Sequence, residues 1–375
     1  MLEAEAEGPR SELLGWAPGE LAALGLSRFA DLYLSEHVLR AEKERVFASS
    51  WFLVATAEEL AAPGEYLATS VVGAPVIVVR GGDGQLGAFH NVCRHRGLTL
   101  VEGRGRLGRF LTCPYHQWSY RLDGALAKVP QEEEEFPGLD KSRRGLVPLA
   151  LSEWHGMVFV RLSLEGPSLQ TSWGALGRQL HHFCGGPLVE VARVSYEAYC
   201  NWKLLVENHV DVYHLWYLHS RSLRAYAHTR FNWQVLGDNW WSHEPLKDPA
   251  GAPGPPVALA WLDEAERTGI GAHLLFPNLM IVTTGRYFAT YDAVPLTPGR
   301  TLLTLRIRAA AGTGPGPLVD DVRSFMAEDL EACRRLQEAL GSPAFALGPL
   351  ARHHEAPLRA FHSSLRRKLV AQTNT

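Results

Sequence analysis

Two short segments, each with one cysteine and one histidine, constrain the fold of this 375-residue chain more than any other feature. The first contains Cys93 and His95, and the second contains Cys113 and His116, with 17 residues between the two pairs. Thiolates and neutral imidazoles are metal ligands, and the glycine or proline beside each pair favours a tight turn. The sequence therefore predicts a metal centre that is held between two loops.

Two kinds of metal centre are compatible with two cysteines and two histidines. A zinc ion would bind all four side chains in one tetrahedral site. A Rieske [2Fe–2S] cluster would place the two cysteines on one iron and the two histidines on the other. Zinc fingers usually keep the cysteines together and the histidines together, whereas each pair here is mixed. The mixed pairs favour the two-iron cluster, and zinc remains the alternative.

The segment that surrounds these pairs has the pattern of a small antiparallel β domain. From 51 to 162, short β-rich runs alternate with turn residues such as the Gly-Gly-Asp-Gly run at 81–84. Outside this segment, helical patterns occur at 21–47, 169–183, 203–217, 318–340 and 352–370, strand patterns at 189–202, 279–284, 287–294 and 301–309, and a proline- and glycine-rich loop at 249–256. The predicted fold class is α+β.

The composition argues against several classes of protein. Lys and Arg number 37 and Asp and Glu number 40, for a net charge of −3, whereas nucleic-acid binding favours a basic surface. No apolar run approaches the roughly 20 residues that span a bilayer, and the acidic, polar Met1–Arg10 lacks the pattern of a signal sequence. Five cysteines in a chain of this length do not form a disulfide scaffold. We expect a soluble cytoplasmic protein with no nucleic-acid or membrane partner.

A second group of ligand-type residues follows later in the chain. Asp211 and His214 are three residues apart, so a helix over this segment would place them on one face. His219 lies five residues further, which is not the same face of an ideal helix, so the helix is expected to end or distort before it. Two histidines with a distant carboxylate form the facial triad that holds Fe(II) and leaves coordination positions open for O2 and substrate.

The two groups together resemble the motifs of one protein family. C-R-H-R-G at 93–97 and C-P-Y-H-Q-W at 113–118 are similar to the cluster loops of the alpha subunits of Rieske non-haem iron ring-hydroxylating oxygenases. N-W-K, E-N and D-x2-H-x4-H within 201–219 are similar to the mononuclear iron motif of the same subunits. The resemblance covers nearly the whole chain, from about 28 to 340.

The resemblance implies one [2Fe–2S] cluster per subunit. Cys93 and Cys113 would bind one iron, and His95 and His116 would bind the other. Imidazole ligands are neutral where thiolates are anionic, so they raise the reduction potential of the cluster. The cluster is therefore expected to accept electrons from a reductase and to pass them on.

The resemblance also implies one mononuclear Fe(II) per subunit. His214 and His219 match the two histidine ligands of the family. Asp211 matches the carboxylate that hydrogen-bonds a ligand histidine and reaches a cluster histidine, and Asn208 matches a position near the iron, so we expect both in the catalytic machinery. His209 has no ligand counterpart and is expected to be a packed or hydrogen-bonded histidine.

The third iron ligand is expected to be an acid far along the chain. Acidic candidates cluster at Asp320, Asp321, Glu328, Asp329 and Glu331. The segment 328–337 resembles the family's helix with the pattern E-D-x5-to-7-Q, in which the aspartate is the ligand. The resemblance therefore implies Asp329, and Glu328 is expected to be a solvated or capping neighbour.

The family's architecture implies how the chain is divided. An N-terminal helical segment (1–48) would pack on the catalytic domain, a small antiparallel β Rieske domain would occupy 49–165, and the catalytic domain would occupy 166–375. The catalytic domain would be a helix-grip fold, which is a curved antiparallel sheet with a long helix over it.

In the family, electrons pass between neighbouring subunits of a head-to-tail trimer, so a homotrimer is expected. No flavin or nicotinamide fingerprint is present, so an external NAD(P)H-dependent reductase, alone or together with a ferredoxin, would supply electrons.

The expected function is that of an oxygenase component, which uses O2 to hydroxylate an aromatic or methylated-amine small molecule. The layout also resembles the choline, betaine and carnitine monooxygenase branch, although part of that branch has glutamate where this chain has Asp211.

Expected pocket walls are Leu205, Tyr213, Phe276, Asn278 and Tyr287, and Arg286 is expected in an ion pair rather than on a substrate carboxylate. The alternatives are a Rieske electron-transfer protein without oxygenase activity and a zinc-binding structural protein.

Overall fold

The computed structural model of the chain describes residues 14–228, 232–247 and 259–370. The expectations for Met1–Arg10 and for the loop at 249–256 lie outside the described residues. Two compact units emerge: one combines the described residues of Met1–Phe47 and Gln170–Thr375, and the other is Ala48–Leu169. The smaller unit is therefore an insertion in the larger one.

The N-terminal segment is helical, but its pattern is broken into short pieces. They are α1 Pro18–Ala23, α2 Asp31–Leu34 and α3 Glu36–Glu42, which continues as a wider turn over Lys43–Phe47. The helical pattern predicted at 21–47 is confirmed over most of its length, but it is interrupted between the pieces. Gly25 adopts a left-handed φ of +70° after α1, and the Ser35 hydroxyl accepts hydrogen bonds from backbone N–H groups at the start of α3, so turn chemistry interrupts the apolar periodicity.

The smaller unit is built from short antiparallel strands. They are β1 Phe52–Thr56, β2 Glu65–Val71, β3 Ala74–Arg80, β4 Leu86–His90, β5 Arg104–Arg106, β6 Phe110–Thr112, β7 Ser119–Arg121, β8 Leu126–Lys128, β9 Ala150–Trp154 and β10 Met157–Arg161, with a short helix α4 Glu132–Glu135. Within the described residues they form three sheets, in the orders β1-β10-β9, β4-β3-β2-β5 and β6-β7-β8. The two Cys/His segments lie in the loops after β4 and between β6 and β7.

The larger unit is organised by an antiparallel sheet. Its strands are β11 Leu188–Ala198, β12 Trp233–Leu236, β13 Asn239–Ser242, β14 Glu244–Pro245, β15 Gly269–Leu275, β16 Leu279–Thr284, β17 Phe288–Thr297 and β18 Arg300–Ala310. Among the described residues the order is β11-β18-β17-β16-β15-β13-β12, with β14 paired to β15. Every residue of β16 is buried, which fits a central strand that is covered on both faces.

The helices of the larger unit place the ligand-type residues. They are α5 Leu169–Leu180, α6 Trp202–Val210, α7 Glu264–Thr268, α8 Pro315–Leu340 and α9 Ala356–Val370. Helix α6 packs against α8 and against strands β15 and β17. The fold is α+β, as expected. Among the described residues, no helix combines the length and the apolar character that crossing a membrane requires.

Candidate metal centres

The two Cys/His loops of the smaller unit have the same backbone geometry. In the first, Cys93 N–H donates to the Leu98 carbonyl at 2.8 Å, and the Cys93 carbonyl accepts from Gly97 N–H at 3.0 Å. In the second, Cys113 pairs in the same way with the carbonyl five residues on and the N–H four residues on, at the same two distances. The fourth residue after each cysteine has a left-handed φ, +78° at Gly97 and +61° at Gln117. The two loops therefore present their side chains as a matched pair.

The sulfur atoms of this site are interior and the imidazoles lie closer to solvent. Cys93 and Cys113 are buried, whereas His95 and His116 are partly exposed. The two imidazole rings lie 4.7 Å apart between centroids. The indole of Trp118 stacks on the His95 ring at 4.9 Å, which fixes the orientation of that ring. A redox centre held here would have buried anionic ligands and neutral ligands near the surface.

The donor set of this site fits a two-iron cluster. Burial, together with the neighbouring Cys93, raises the pKa of Cys113, so two thiolates side by side require a cation to hold them ionised. The buried His95 Nδ1 has no hydrogen-bond partner among the described residues, as a ligand atom should. Among those same residues, three or more such ligand atoms come within 4.8 Å of one another only at His214, His219 and Asp329. One cysteine and one histidine on each of two matched loops is the donor set of a Rieske-type two-iron cluster.

Helix α6 ends earlier than the sequence predicted. The prediction that a helix places Asp211 and His214 on one face was wrong, because the α-helix stops at Val210 and Asp211 has an extended backbone. The Asp211 carboxylate accepts a hydrogen bond from Tyr213 N–H at 2.7 Å, and such a local side-chain contact competes with helix continuation. A short 3₁₀ turn over Tyr213–Trp216 then carries His214.

Three side chains from two distant segments of the larger unit meet at one point. His214 Nε2 lies 3.5 Å and His219 Nε2 lies 2.9 Å from the same oxygen, Oδ1 of Asp329 on α8. Their ligand atoms all lie within 4.8 Å of one another. These are the two histidines and the carboxylate that the sequence predicts as ligands, and the fold brings them together. Glu331 points elsewhere on α8, where it pairs with Arg334 and Arg335.

The electrostatics of the three side chains fit a cation at their centre. Burial by itself would lower the pKa of His214, but its contacts with Asp211 and Asp329 raise it to about 9. Burial by itself would raise the pKa of Asp329, but the two histidines lower it. The Asp329 Oδ1 atom is buried without a well-formed hydrogen bond among the described residues. The carboxylates that favour a proton on His214 would equally attract an Fe(II) ion bound between the three side chains.

Glu328 is not the solvated neighbour that the sequence analysis expected. Its Oε2 lies 2.7 Å from His219 Nδ1 and accepts a hydrogen bond from the Ser222 hydroxyl at 2.6 Å. The expectation was wrong because α8 turns Glu328 toward the segment that follows α6 rather than toward solvent. Nothing in the local sequence of Ser222 marks it as part of a site, and only its position three residues after His219 could have drawn attention to it.

Asp211, Asn208 and His209 lie in different environments at the end of α6. Asp211 Oδ2 lies 3.5 Å from His214 Nδ1. Asn208 is partly buried on the last turn of α6. His209 Nε2 lies 2.9 Å from the His273 carbonyl, so this nitrogen carries the hydrogen, and burial lowers the pKa of His209 to about 4. His209 is therefore a neutral, hydrogen-bonded histidine.

The expected pocket walls are only partly interior. Leu205, Asn278 and Tyr287 are buried, whereas Tyr213 is 42% exposed. The Asn278 side-chain amide donates to the Ala293 carbonyl at 3.0 Å, which ties it to the sheet. The expected ion pair of Arg286 is formed with Asp321, whose carboxylate also accepts from the Tyr287 hydroxyl at 3.3 Å.

Two protein families match this chain, one in each of its two units. Residues 50–148 match the family of Rieske [2Fe-2S] domains, and residues 187–371 match the catalytic domain of ring hydroxylating alpha subunits. These two families imply a [2Fe–2S] cluster and a mononuclear iron in one chain. The resemblance drawn from the motifs is confirmed, and so is the α+β fold class.

The similar proteins include monooxygenases of quaternary amines, and the similar solved structures include both such a monooxygenase and a naphthalene 1,2-dioxygenase from Rhodococcus sp., which superposes with a TM-score of 0.78 at 21% identity, covering 99% of this chain and 100% of that one. The carnitine monooxygenase oxygenase subunit of Acinetobacter baumannii is 34% identical over 210 residues, which cover 56% of this chain and 56% of that protein. The chloroplastic choline monooxygenase of Spinacia oleracea is 28% identical over 343 residues, covering 88% of this chain and 75% of that protein. A solved quaternary ammonium Rieske monooxygenase superposes with a TM-score of 0.77 at 25% identity, covering 92% of this chain and 94% of that one.

Proposed function

We propose, from the premise that this chain belongs to the alpha subunits of the Rieske ring-hydroxylating oxygenases, that it is the oxygenase component of a monooxygenase acting on a methylated amine. The observation that carries the proposal is the convergence of His214, His219 and Asp329 in a chain that also has two matched Cys/His loops. A Rieske electron carrier needs no facial triad, and a structural zinc protein needs no second metal site.

The first centre would be held by the loops of the smaller unit. Cys93 and Cys113 would bind one iron from the interior, and His95 and His116 would bind the other from the side nearer to solvent. Trp118 would keep the His95 ring in place by stacking on it. When bound, the cluster and the mononuclear iron supply stored electrons and the activation of O2.

The second centre would be held by His214, His219 and Asp329. Three protein ligands on one side leave the opposite side open for O2 and substrate. Asp211 would orient His214 and connect it to a cluster histidine of a neighbouring subunit, and Asn208 would border the iron. We expect Asp211→Asn to retain both metals and to stall electron passage, and normal turnover of this variant would refute the bridging role.

Similarity to carnitine and choline monooxygenases supports a quaternary or tertiary amine as the substrate class. His209 lies close to the proposed iron site, because the charges of Asp329 and His214 act on its pKa. Its ring packs against the aromatic side chain of Trp240 in a T-shaped arrangement, with 6.1 Å between the ring centroids. Aromatic faces attract quaternary ammonium groups. Arg286 is neutralised by Asp321, so it is a poor partner for a substrate carboxylate.

A homotrimer and an external reductase complete the proposal. Inter-subunit electron transfer is described for the quaternary ammonium monooxygenase that this chain resembles in structure. Near the Cys/His loops, Leu98 and Tyr115 are 41% and 54% exposed, and near Asp211, Tyr213 and Tyr217 are 42% and 68% exposed. Exposed apolar and aromatic side chains at both ends of the proposed electron path suit contacts between copies or with a reductase.

Product analysis by mass spectrometry tests the function. The purified protein, a surrogate reductase and NAD(P)H are supplied with 18O2 and with carnitine, choline, glycine betaine or an aromatic acid in separate reactions. We expect one 18O atom to enter the products of a methylated amine and none to enter the aromatic acid. Dihydroxylation of the aromatic acid would instead identify a ring dioxygenase, and no oxygenation of any compound, with hydrogen peroxide in place of the reductase as well, would contradict the proposal.

A further inference from the structure

Glu328 lies next to a proposed iron ligand in the sequence and contacts another in space. We propose that Glu328, held by Ser222, is a positioning residue that fixes His219 as an iron ligand and strengthens its hold on the metal. This inference rests on the proposed function, because it assigns a role toward the iron of the same site.

The hydrogen-bond geometry defines the protonation of the His219 ring. Glu328 Oε2 lies 2.7 Å from His219 Nδ1, and a carboxylate can only accept, so Nδ1 carries the hydrogen. The other ring nitrogen, Nε2, lies 2.9 Å from Asp329 Oδ1, on the side where the metal would bind. A histidine that binds a metal through Nε2 keeps its hydrogen on Nδ1, and the Glu328 contact holds it there.

Two successive residues of α8 hold the two nitrogens of one imidazole. Glu328 contacts Nδ1 and Asp329 contacts Nε2, while the ring itself is 2% exposed. Ser222 completes the contact: its hydroxyl donates to Glu328 Oε2 at 2.6 Å and lies 3.2 Å from His219 Nδ1. A turn in which Leu223 N–H donates to the His219 carbonyl at 3.0 Å brings Ser222 to this place.

The two proposed histidine ligands are supported unequally. His219 has a carboxylate at 2.7 Å and a hydroxyl at 3.2 Å from Nδ1, whereas His214 Nδ1 makes no hydrogen bond among the described residues and lies 3.5 Å from the Asp211 carboxylate. An anionic partner on Nδ1 makes Nε2 more basic and limits rotation of the ring, and loss of such partners typically weakens metal binding by roughly 10–100-fold. Glu328 should therefore matter for keeping the iron, and Asp211 for passing electrons.

Metal titration tests the inference without any turnover. The variant Glu328→Gln keeps the size of the side chain and removes its charge, and Glu331→Gln is the matched control, because Glu331 lies on the exposed side of α8 and pairs with Arg334 and Arg335. Full-length protein depleted of mononuclear iron is titrated anaerobically with Fe(II) against a competing chelator. The absorption spectrum of Co(II) bound in place of iron reports the ligand geometry, and the cluster absorption reports folding of the smaller unit.

We expect Glu328→Gln to weaken Fe(II) binding by roughly 10–100-fold and to alter the Co(II) spectrum, while Glu331→Gln binds as the unchanged protein does. Ser222→Ala should show a smaller loss in the same direction, and it decides the question if Glu328→Gln does not fold. Wild-type affinity and spectrum in both Glu328→Gln and Ser222→Ala would overturn the inference. If the unchanged protein and His219→Ala bind Fe(II) equally, the proposed function fails instead.

Discussion

Both ring nitrogens of His219 lie within contact distance of a carboxylate, which makes its proposed role as an iron ligand especially clear to test. Glu328 lies against Nδ1 and Asp329 against Nε2, and the ring is buried. Substitutions at this position should therefore separate the chemistry of the larger unit from the integrity of the smaller one.

Replacing His219 with alanine tests that separation. We expect His219→Ala to keep the visible spectrum of the cluster and to abolish oxygenation, a loss of at least about 100-fold, because only the mononuclear site loses a ligand. Iron content, visible absorption and product formation are measured on one preparation. Retained oxygenation, or loss of the cluster spectrum, would contradict the assignment of two independent centres.

His228 gives a prediction about pH. It is buried, its Nε2 lies 3.0 Å from the Leu223 carbonyl, and burial lowers its pKa to about 4. The pKa of an unfolded histidine is about 6.5, so between these values the folded state binds fewer protons than the unfolded state. Stability that is present above pH 6.5 is therefore lost as the pH falls toward 4.

The variant His228→Gln removes this titration. We expect the unchanged protein to lose on the order of 1–2 kcal/mol more unfolding free energy than the variant between pH 7 and pH 5. Urea unfolding at both pH values measures the difference. Equal losses in the two proteins would show that His228 does not titrate with a lowered pKa.

Helix α6 leads directly into the segment that carries His214 and His219, and buried polar contacts hold its first turn. Glu42, which is fully buried, accepts hydrogen bonds from Lys203 Nζ at 2.6 Å and from Trp202 Nε1 at 2.8 Å. The backbone N–H of Asn201 donates to the side chain of Gln337 on α8 at 2.8 Å. The start of α6 is therefore joined both to the N-terminal segment and to the helix that carries Asp329.

Breaking the buried ion pair should be costly. Lys203→Met leaves the Glu42 carboxylate buried without its cation, which is typically worth about 3–5 kcal/mol of unfolding free energy. Chemical denaturation of Lys203→Met and of the double variant Glu42→Gln with Lys203→Met measures this cost, and the double variant should recover part of the loss. A loss below about 1 kcal/mol in the single variant would mean that α6 does not depend on this pair.

At the level of elements, local sequence predicted some features and not others. The tight loops at Cys93 and Cys113 were predictable, because turn residues and ligands lie within a few positions of each other. The end of α6 at Val210 was not, because it depends on an Asp211 side chain that bonds its own backbone neighbourhood. The role of Glu328 was missed because its partner, His219, is more than a hundred positions away, and only the packing of α8 brings the two together.

At the scale of the whole molecule, the proposed trimer predicts that two inactive variants can complement each other. Cys113→Ser should lose the cluster colour and keep the mononuclear site, and His219→Ala should do the reverse. In trimers mixed from both variants, the intact cluster of one subunit can lie beside the intact mononuclear site of its neighbour. If electrons pass between neighbouring subunits, such a pair is able to function. We expect dissociation and reassociation of an equal mixture to restore oxygenation to a fraction of the normal rate, with neither variant active alone. No recovery in mixtures shown to contain both chains would contradict transfer between subunits.

The central claim is that one polypeptide holds two separate iron centres, a cluster at the Cys/His loops and a mononuclear iron at His214, His219 and Asp329. Metal analysis combined with electron paramagnetic resonance of the purified protein, reduced without oxygen, tests it most directly. We expect about three iron atoms per chain, a reduced Rieske-type signal, and loss of about one iron with an unchanged signal in His219→Ala. Zinc in place of iron, or iron that His219→Ala does not release, would contradict it.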